Sequence, residues 1–524
     1  MAHYKQFSVR LLAVTLAAAA LTPSALISSA VAQAPAAPPT TRAILADLDR
    51  YIPKALAEWN GAGIAIGIVK DDSLIYAKGF GVREVGKPDL VDDRTLFAIG
   101  SNTKFFTAVA AGMLVDEGKL SLDDKVTKYL PWFQLYDPWV TREFTLRDAM
   151  SHRSGLGRHG DALWYGTPYS RDEVIHRVRY LAPTSSFRTE YGYQNIMFVT
   201  AGQVVGAAAG KTWDEFIRER IFEPLGMTAS NTSVKALATA TDVARPHDLT
   251  PNQEVPVPIA WRDLDNAGPA GSINSNVQDM ARWMRFILAG GSANGHVLLK
   301  PATLADITSP HFITQRLVAD TLNPTRHFQT YALGIGASDL QGVKVLAHTG
   351  GIDGMLSYVA MVPERKLGIV VLTNVTGHNA LYGAVGSRIL NAFLGGPARD
   401  WSRIALAQTM KGEKAAEERY RKMLAEHPSD AKPSHELAAY AGTYHNEMYG
   451  DVNVALVSGK LQFHYFNAVN LDLTPFTFDT FLGNPSGIAT LNPDPMPIRF
   501  ALDPVGKIVS LDMPDVGTFT RVAK

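Results

Sequence analysis

The stretch FAIGSNTKFFTAVAAGMLVDEG, Phe97 to Gly118, decides how the rest of the chain is read. A polar triplet, Ser101, Asn102 and Thr103, opens an otherwise apolar segment that reads as a buried helix, and Lys104 follows inside its first turn. Residues three apart share a helix face, so Ser101 and Lys104 project to the same side. A serine at a helix start lies at the positive end of the dipole and keeps a free backbone N–H. One residue then offers both an attacking oxygen and a donor for an oxyanion, which suits a nucleophile. Lys104 can take the serine's proton only as a neutral amine. Its pKa would have to fall from about 10.4 to about 7, roughly 4–5 kcal/mol, within reach of desolvation plus neighbouring charge.

The S-x-x-K pair alone is weak, because composition predicts about one or two chance matches in a chain this long. A second match, Ser429 to Lys432, lies between prolines with no helix to align it and reads as chance. Partners must come from elsewhere. Tyr193-Gln194-Asn195 stands where a loop meets the apolar helix Ile196 to Ala209. Its decoys are Tyr444-His445-Asn446 and Tyr465-Phe466-Asn467, in a β-rich C-terminal region. His348-Thr349-Gly350-Gly351 ends a strand; small residues there let an acyl group lie alongside and offer the Gly351 N–H as a second oxyanion donor. Taken singly, Tyr193 reads better as a structural tyrosine and His348 as a satisfied surface histidine.

The setting is a chain of 524 residues with 50 basic and 50 acidic side chains, so nothing marks a nucleic-acid or anionic-membrane footprint. Lys5 and Arg10, the apolar run Leu11 to Ala20 and Ala30-Val31-Ala32 read as a cleavable secretory signal over residues 1–32, implying a periplasmic or secreted protein. There are no cysteines. His152 and His159 flank a glycine-containing loop without metal-ligand spacing, and no cofactor is expected.

Ile44, Leu48, Ile52 and Leu56 mark a helix over Arg42 to Trp59, with a kink expected at Pro53. Ala62 to Val69 and Leu74 to Gly81 read as a strand pair. Ser121 to Leu130 reads as a short helix, and Ser275-x-x-Gln278 as the capping box of a helix through Leu288. Val345 to Thr349, Leu356 to Val362 and Leu367 to Thr373 make an antiparallel meander. The expected fold is α+β, an antiparallel sheet flanked by helices with a mostly helical subdomain, over residues 33–400. Residues 401–432 read as a helical linker, and the period-two pattern over 433–524 as a small barrel or sandwich.

Five ordered matches carry a resemblance: Ser101-x-x-Lys104, AMSHRSGL (Ala149 to Leu156), Tyr193-x-Asn195, AGPAGSINSNVQDMARWM (Ala267 to Met284) and His348-Thr349-Gly350. The chain resembles the serine hydrolases that include class C β-lactamases, D-alanyl-D-alanine carboxypeptidases, D-aminopeptidases and related esterases. The resemblance covers about Arg42 to Leu394, and AAYAGTYHNEMYGDVNVALVSGKLQF (Ala438 to Phe463) is similar to the lipocalin-like domain of some such peptidases. It implies that Ser101 is acylated and that Lys104 and Tyr193 share the proton transfers. It further implies that Asn195 orients the substrate amide and the lysine, and that Ser101 N–H and Gly351 N–H form the oxyanion hole, with His348, Thr349 and Gly350 lining the site.

The lactamases place lysine where this chain has His348, so esterase or peptidase activity on small-molecule or peptide substrates is expected ahead of β-lactamase or carboxypeptidase activity. Without that fixed charge, neutral or amine-bearing substrates are favoured. A non-hydrolytic penicillin-binding receptor is the alternative of another class. The chain is expected to bind no nucleic acid and to lack a membrane span, and a homo-oligomer is possible.

Overall fold

The computed structural model describes residues 39–249, 254–314, 320–377, 379–425, 432–466, 469–485, 495–514 and 516–523. The expected signal segment and Ser429 lie outside the described residues. Helix α1 (Thr41–Glu58) carries Pro53 in its interior and buries the expected stripe of Ile44, Leu48, Ile52 and Leu56. Strands β1 (Gly63–Lys70) and β2 (Ser73–Gly81) form a hairpin through Asp71 and Asp72, both at positive φ.

Further along come helices α2 (Thr103–Asp116), α3 (Asn195–Ala209) and α4 (Val277–Leu288). They are followed by β3 (Phe312–Ile313), β4 (Gln329–Tyr331), β5 (Gly336–Leu340), β6 (Val343–Ile352), β7 (Met355–Val362) and β8 (Leu367–Thr373), then α5 (Leu381–Leu394) and α6 (Trp401–Ala425). The eight strands make one antiparallel sheet in the order β2-β1-β8-β7-β6-β5-β4-β3.

Both faces of the sheet are covered. Ile64, Ile66, Ile68, Ile369 and Val371 meet α1 and α5 on one side. On the other, α4 lies over β1 and β8, where Gly67 and Gly368 leave room for Val277 and Met284. Strand β8, the central apolar run, is therefore buried at every residue. The long insertion between β2 and β3 holds the helical subdomain. There α2 is buried nearly all round, with Phe106 stacked on Trp283 at 3.8 Å.

Two local expectations are corrected. Over Ser121 to Leu130 only the 3-10 turn Val126–Lys128 forms. The Val126 N–H goes to Phe144 O at 3.0 Å, so a donor the helix would need is spent on another segment. Helix α4 is capped not by Ser275, which sits in a two-residue strand, but by Asn276, whose side chain accepts the Asp279 N–H at 2.9 Å.

Trp401 and Ser402 at the start of α6 are buried, Ser402 accepts from Trp59 Nε1 at 2.9 Å, and Ala405 and Leu406 pack on the core, while the stretch from Lys411 to Lys422 is mostly charged. The C-terminal strands are β9 (Gly442–Asn446), β10 (Gly450–Val457), β11 (Lys460–Tyr465), β12 (Val469–Thr477), β13 (Thr480–Pro485), β14 (Met496–Leu502), β15 (Ile508–Met513) and β16 (Gly517–Arg521). They form a closed barrel, shut by the pairing of β9 with β16. Alternate residues such as Val452, Val454, Phe463, Phe481, Phe500 and Phe519 fill it. The barrel docks on the helical subdomain: Tyr169 donates to Tyr449 O at 2.8 Å and Arg177 to Met448 O at 3.0 Å. Gly450, at φ +79°, leaves no space for a Cβ beside the Tyr169 hydroxyl.

Candidate active site

The nucleophile segment is built by close approach. Phe97–Ala98 is a short strand, Gly100–Asn102 a 3-10 turn, and α2 begins at Thr103, so Ser101 sits one step before the helix rather than within it. Gly100 takes φ +51°, and a Cβ there would stand 2.7 Å from Gly351 N. A Cβ on Gly350 would collide with Ile99 O and Ser357 Oγ. Glycine at both positions lets the end of β6 lie against the Ser101 turn. Ser357 Oγ donates to Ile99 O at 2.7 Å and accepts from Asn102 Nδ2 at 2.8 Å, which locks turn to sheet.

Lys104 is fully buried, and its Nζ stands 3.0 Å from Ser101 Oγ, 2.7 Å from Asn195 Oδ1 and 2.8 Å from Ala270 O. Burial holds its pKa well below the ordinary lysine value; the nearby Asp161 carboxylate opposes that shift and Arg158 adds to it. A neutral amine has two N–H donors and one lone pair. Asn195 Oδ1 and Ala270 O can only accept, so they take the two donors, and the lone pair is left for the Ser101 hydroxyl. Three acceptors would suit an ammonium as well, so it is burial that favours the neutral amine a general base needs.

Asn195 is held in this orientation from behind. Its Nδ2 donates to both oxygens of Asp161, at 3.0 and 3.1 Å, and Trp164 Nε1 donates to the same carboxylate at 2.8 Å. All three contacts are donors, as an ionised carboxylate requires, although burial pushes the Asp161 pKa up. Arg158 stands 3.8 Å from it, a long ion pair, with its guanidinium 5.3 Å over the Tyr193 ring.

The Tyr193 ring lies 4.8 Å from Lys104 Nζ. Burial raises the phenol pKa more than Ser101 beside its hydroxyl lowers it, so Tyr193 is a neutral donor and acceptor beside the serine. His348 is half-buried on β6. Its Nδ1 lies 2.6 Å from Thr349 O, which only accepts, so Nδ1 carries the proton. Its Nε2 then accepts from the Tyr331 hydroxyl at 2.8 Å. Desolvation first, and then Lys104, lower its pKa to about 4 against the Thr349 O contact, which raises it, so the ring stays neutral.

Ser101, Tyr193, Asn195, His348, Thr349 and Gly351 line one cleft of about 960 Å³. Lys104 lies beneath its floor, hydrogen-bonded to Ser101. The structure thus brings the sequence-predicted residues to one place. Both nitrogens of His348 are committed to Tyr331 and Thr349. Asp161, Ala270, Tyr331 and His152 join the site without having been singled out for it. Of these only His152, within AMSHRSGL, lay in a motif as a side chain; Ala270 acts through a backbone carbonyl inside the Ala267 to Met284 stretch. The side chain of His159 lies outside the described residues.

Comparison with known proteins gives the same setting. The profile of the Beta-lactamase family matches residues 48–392, and that of a domain of unknown function (DUF3471) matches residues 426–522. The chain is 28% identical over 504 residues to the unguisins hydrolase of Aspergillus violaceofuscus, spanning 88% of this chain and 86% of that protein. The octameric penicillin-binding protein homologue from Pyrococcus abyssi superposes with a TM-score of 0.60 at 22% identity, over 89% of this chain and 97% of that one. A D-stereospecific amidohydrolase from Streptomyces superposes with a TM-score of 0.54 at 21% identity, over 68% of this chain and 99% of its own.

Proposed function

Because the chain belongs to the β-lactamase and penicillin-binding-protein-like family of serine hydrolases, we propose that it cleaves amide, peptide or ester bonds through an acyl-enzyme on Ser101. The observation that carries this is the Lys104 amine, 3.0 Å from Ser101 Oγ with its other two partners restricted to acceptors. Lys104 takes the hydroxyl proton as Ser101 Oγ attacks the carbonyl carbon. The oxyanion accepts from Ser101 N–H and Gly351 N–H. Tyr193, beside Ser101, gives its phenol proton to the leaving amine or alkoxide as the carbon–heteroatom bond breaks, and takes the Lys104 proton in return. Water then attacks the ester carbonyl and loses a proton to the same pair, which returns it to Ser101 Oγ as the C–Oγ bond breaks, freeing the acid and Ser101.

The name of one structural relative, a D-stereospecific amidohydrolase, supports amide substrates. A neutral His348 speaks against β-lactams, since the strand then offers no fixed cation for a substrate carboxylate. The test is a screen of p-nitrophenyl esters, D- and L-aminoacyl anilides and a chromogenic cephalosporin, with mass spectrometry of the trapped acyl-enzyme. Catalytic turnover that disappears in Ser101→Ala supports the reading. A single stoichiometric burst without turnover would make the protein a receptor, and cephalosporin turned over as fast as any ester would make it a β-lactamase.

A further inference from the structure

We propose that His152 is a positioning residue for Tyr193, acting through the two peptide groups that flank it. The Gly192 N–H donates to His152 O at 2.9 Å, and the Gln194 N–H donates to His152 Nδ1 at 3.1 Å. The backbone on both sides of Tyr193 is thus tied to one residue. The imidazole also lies against the phenol ring, with centroids 4.3 Å apart and planes inclined by 36°. The inference rests on the role of Tyr193 in the proposed acyl transfer.

Three features show that this clamp is built rather than incidental. His152 takes φ +57°, a left-handed conformation uncommon for a residue with a Cβ, and so turns its carbonyl and its ring toward the same segment. The conformation is held from behind: Asp148, buried, binds Arg153 at 2.5 Å and Arg188 at 2.7 Å, and the Arg188 N–H donates to Arg153 O at 3.0 Å. Finally, Nδ1 accepts an N–H, so the neutral ring carries its proton on Nε2. Nε2 is buried without a hydrogen-bond partner among the described residues, enclosed by the rings of Tyr331, Phe198 and Tyr191 at 4.8, 5.1 and 5.6 Å. An unpaired buried donor is costly, and an apolar side chain of similar size would avoid it. What an apolar side chain cannot supply is the acceptor at Nδ1. Burial, together with Lys104, His348 and Arg158, keeps this ring uncharged, so it remains an acceptor across the working pH.

The test is a double-mutant cycle on the full chain, read as kcat and KM for an activated ester. His152→Leu keeps the volume and removes the acceptor. It should lower kcat about 30- to 100-fold, within the range that one proton-transfer group contributes, with KM changed less than about threefold. In a Tyr193→Phe background the same change should cost less than about threefold, because the group it positions is gone. His152→Asn tolerates positive φ and places an oxygen near the Nδ1 position, so it should recover at least about tenfold of the loss. Should His152→Leu not fold, His152→Gly, which accepts the backbone conformation without strain, carries the same comparison. Losses that multiply fully across the cycle, or an asparagine variant no better than leucine, would overturn the proposal. Turnover surviving in Ser101→Ala would instead sink the hydrolase reading, whatever the cycle shows.

Discussion

Replacing Asp161 by asparagine removes the one carboxylate that opposes the desolvation of Lys104, and its effect can be worked from the site. The carboxylate and Lys104 Nζ are separated by the Asn195 amide and two hydrogen bonds of 2.7 and 3.0 Å, roughly 7 Å in all. A unit charge at that distance, with an effective dielectric constant near 20, is worth about 2 kcal/mol, somewhat more than one pH unit. The sign follows from the causes. Burial lowers the Lys104 pKa and Asp161 raises it, so without Asp161 the amine stays neutral to lower pH. The acidic limb of kcat/KM, set by protonation of the base, should move down by about one pH unit. A second effect acts on kcat. An asparagine at 161 offers one acceptor oxygen where Asn195 Nδ2 and Trp164 Nε1 made three contacts with two, so Asn195 loses the contact that fixes its amide and can turn its NH2 toward Lys104. Losing a hydrogen bond to a charged partner costs about 1.5–3 kcal/mol, or a ten- to hundredfold drop in kcat. The assay is kcat/KM for a p-nitrophenyl ester from pH 4 to 9 in wild type and Asp161→Asn, with thermal unfolding as a control. A limb that stays in place, or moves upward, would refute the claim that Asp161 biases the charge of Lys104.

Lys104→Met and Tyr193→Phe should each lower kcat by about two to four orders of magnitude, with the double variant far less than multiplicative, since the two share one proton path; steady-state ester kinetics decide this. His348, neutral down to about pH 4 in the fold against about 6.5 when unfolded, is a group of depressed pKa. Its contribution to stability is therefore full above pH 6.5 and is lost as pH falls toward 4, so His348→Gln should flatten the Tm–pH curve in that window and leave it unchanged above pH 7. Gly350→Ala must push β6 away from Ile99 O; overpacking of about 1–3 kcal/mol should lower Tm by several degrees, and activity should fall at least about tenfold as the Gly351 N–H leaves Ser101. An alanine variant with wild-type kcat would place the oxyanion site elsewhere.

Sheet and helices were legible where one face decides the pattern, as in the α1 stripe and the meander of β6 to β8. They were misread where a contact outside the expected pattern intervenes: Phe144 O takes the Val126 N–H in the Ser121 to Leu130 segment, and Asn276 rather than Ser275 caps α4. The reactive pair was legible because Ser101 and Lys104 are neighbours on one turn, so their chemistry has a spacing. The groups that set the charge of Lys104 have none. Asp161 and Ala270 lie 57 and 166 residues beyond it and meet it only when α3 and the Gly268–Gly271 helix close around α2. A backbone carbonyl such as Ala270 O leaves no trace in residue identity.

The same distinction explains why His348 is less decisive than its place in a three-residue motif implies. The motif shows that a histidine stands where a cation would serve a carboxylate. It does not reveal that Tyr331, 17 residues earlier, aims its hydroxyl at Nε2. With Nδ1 turned to the backbone, the imidazole has no lone pair left for substrate and no reason to charge. The strand therefore contributes shape and peptide groups, and cationic side chains on the cleft wall come from other segments, Arg158 and Arg326. His348 and Tyr331 are a buried hydrogen-bonded unit, so exchanging His348 alone for lysine would set an ammonium against a phenol donor whose oxygen must then reverse its role. A specificity switch at this position requires the pair to change together.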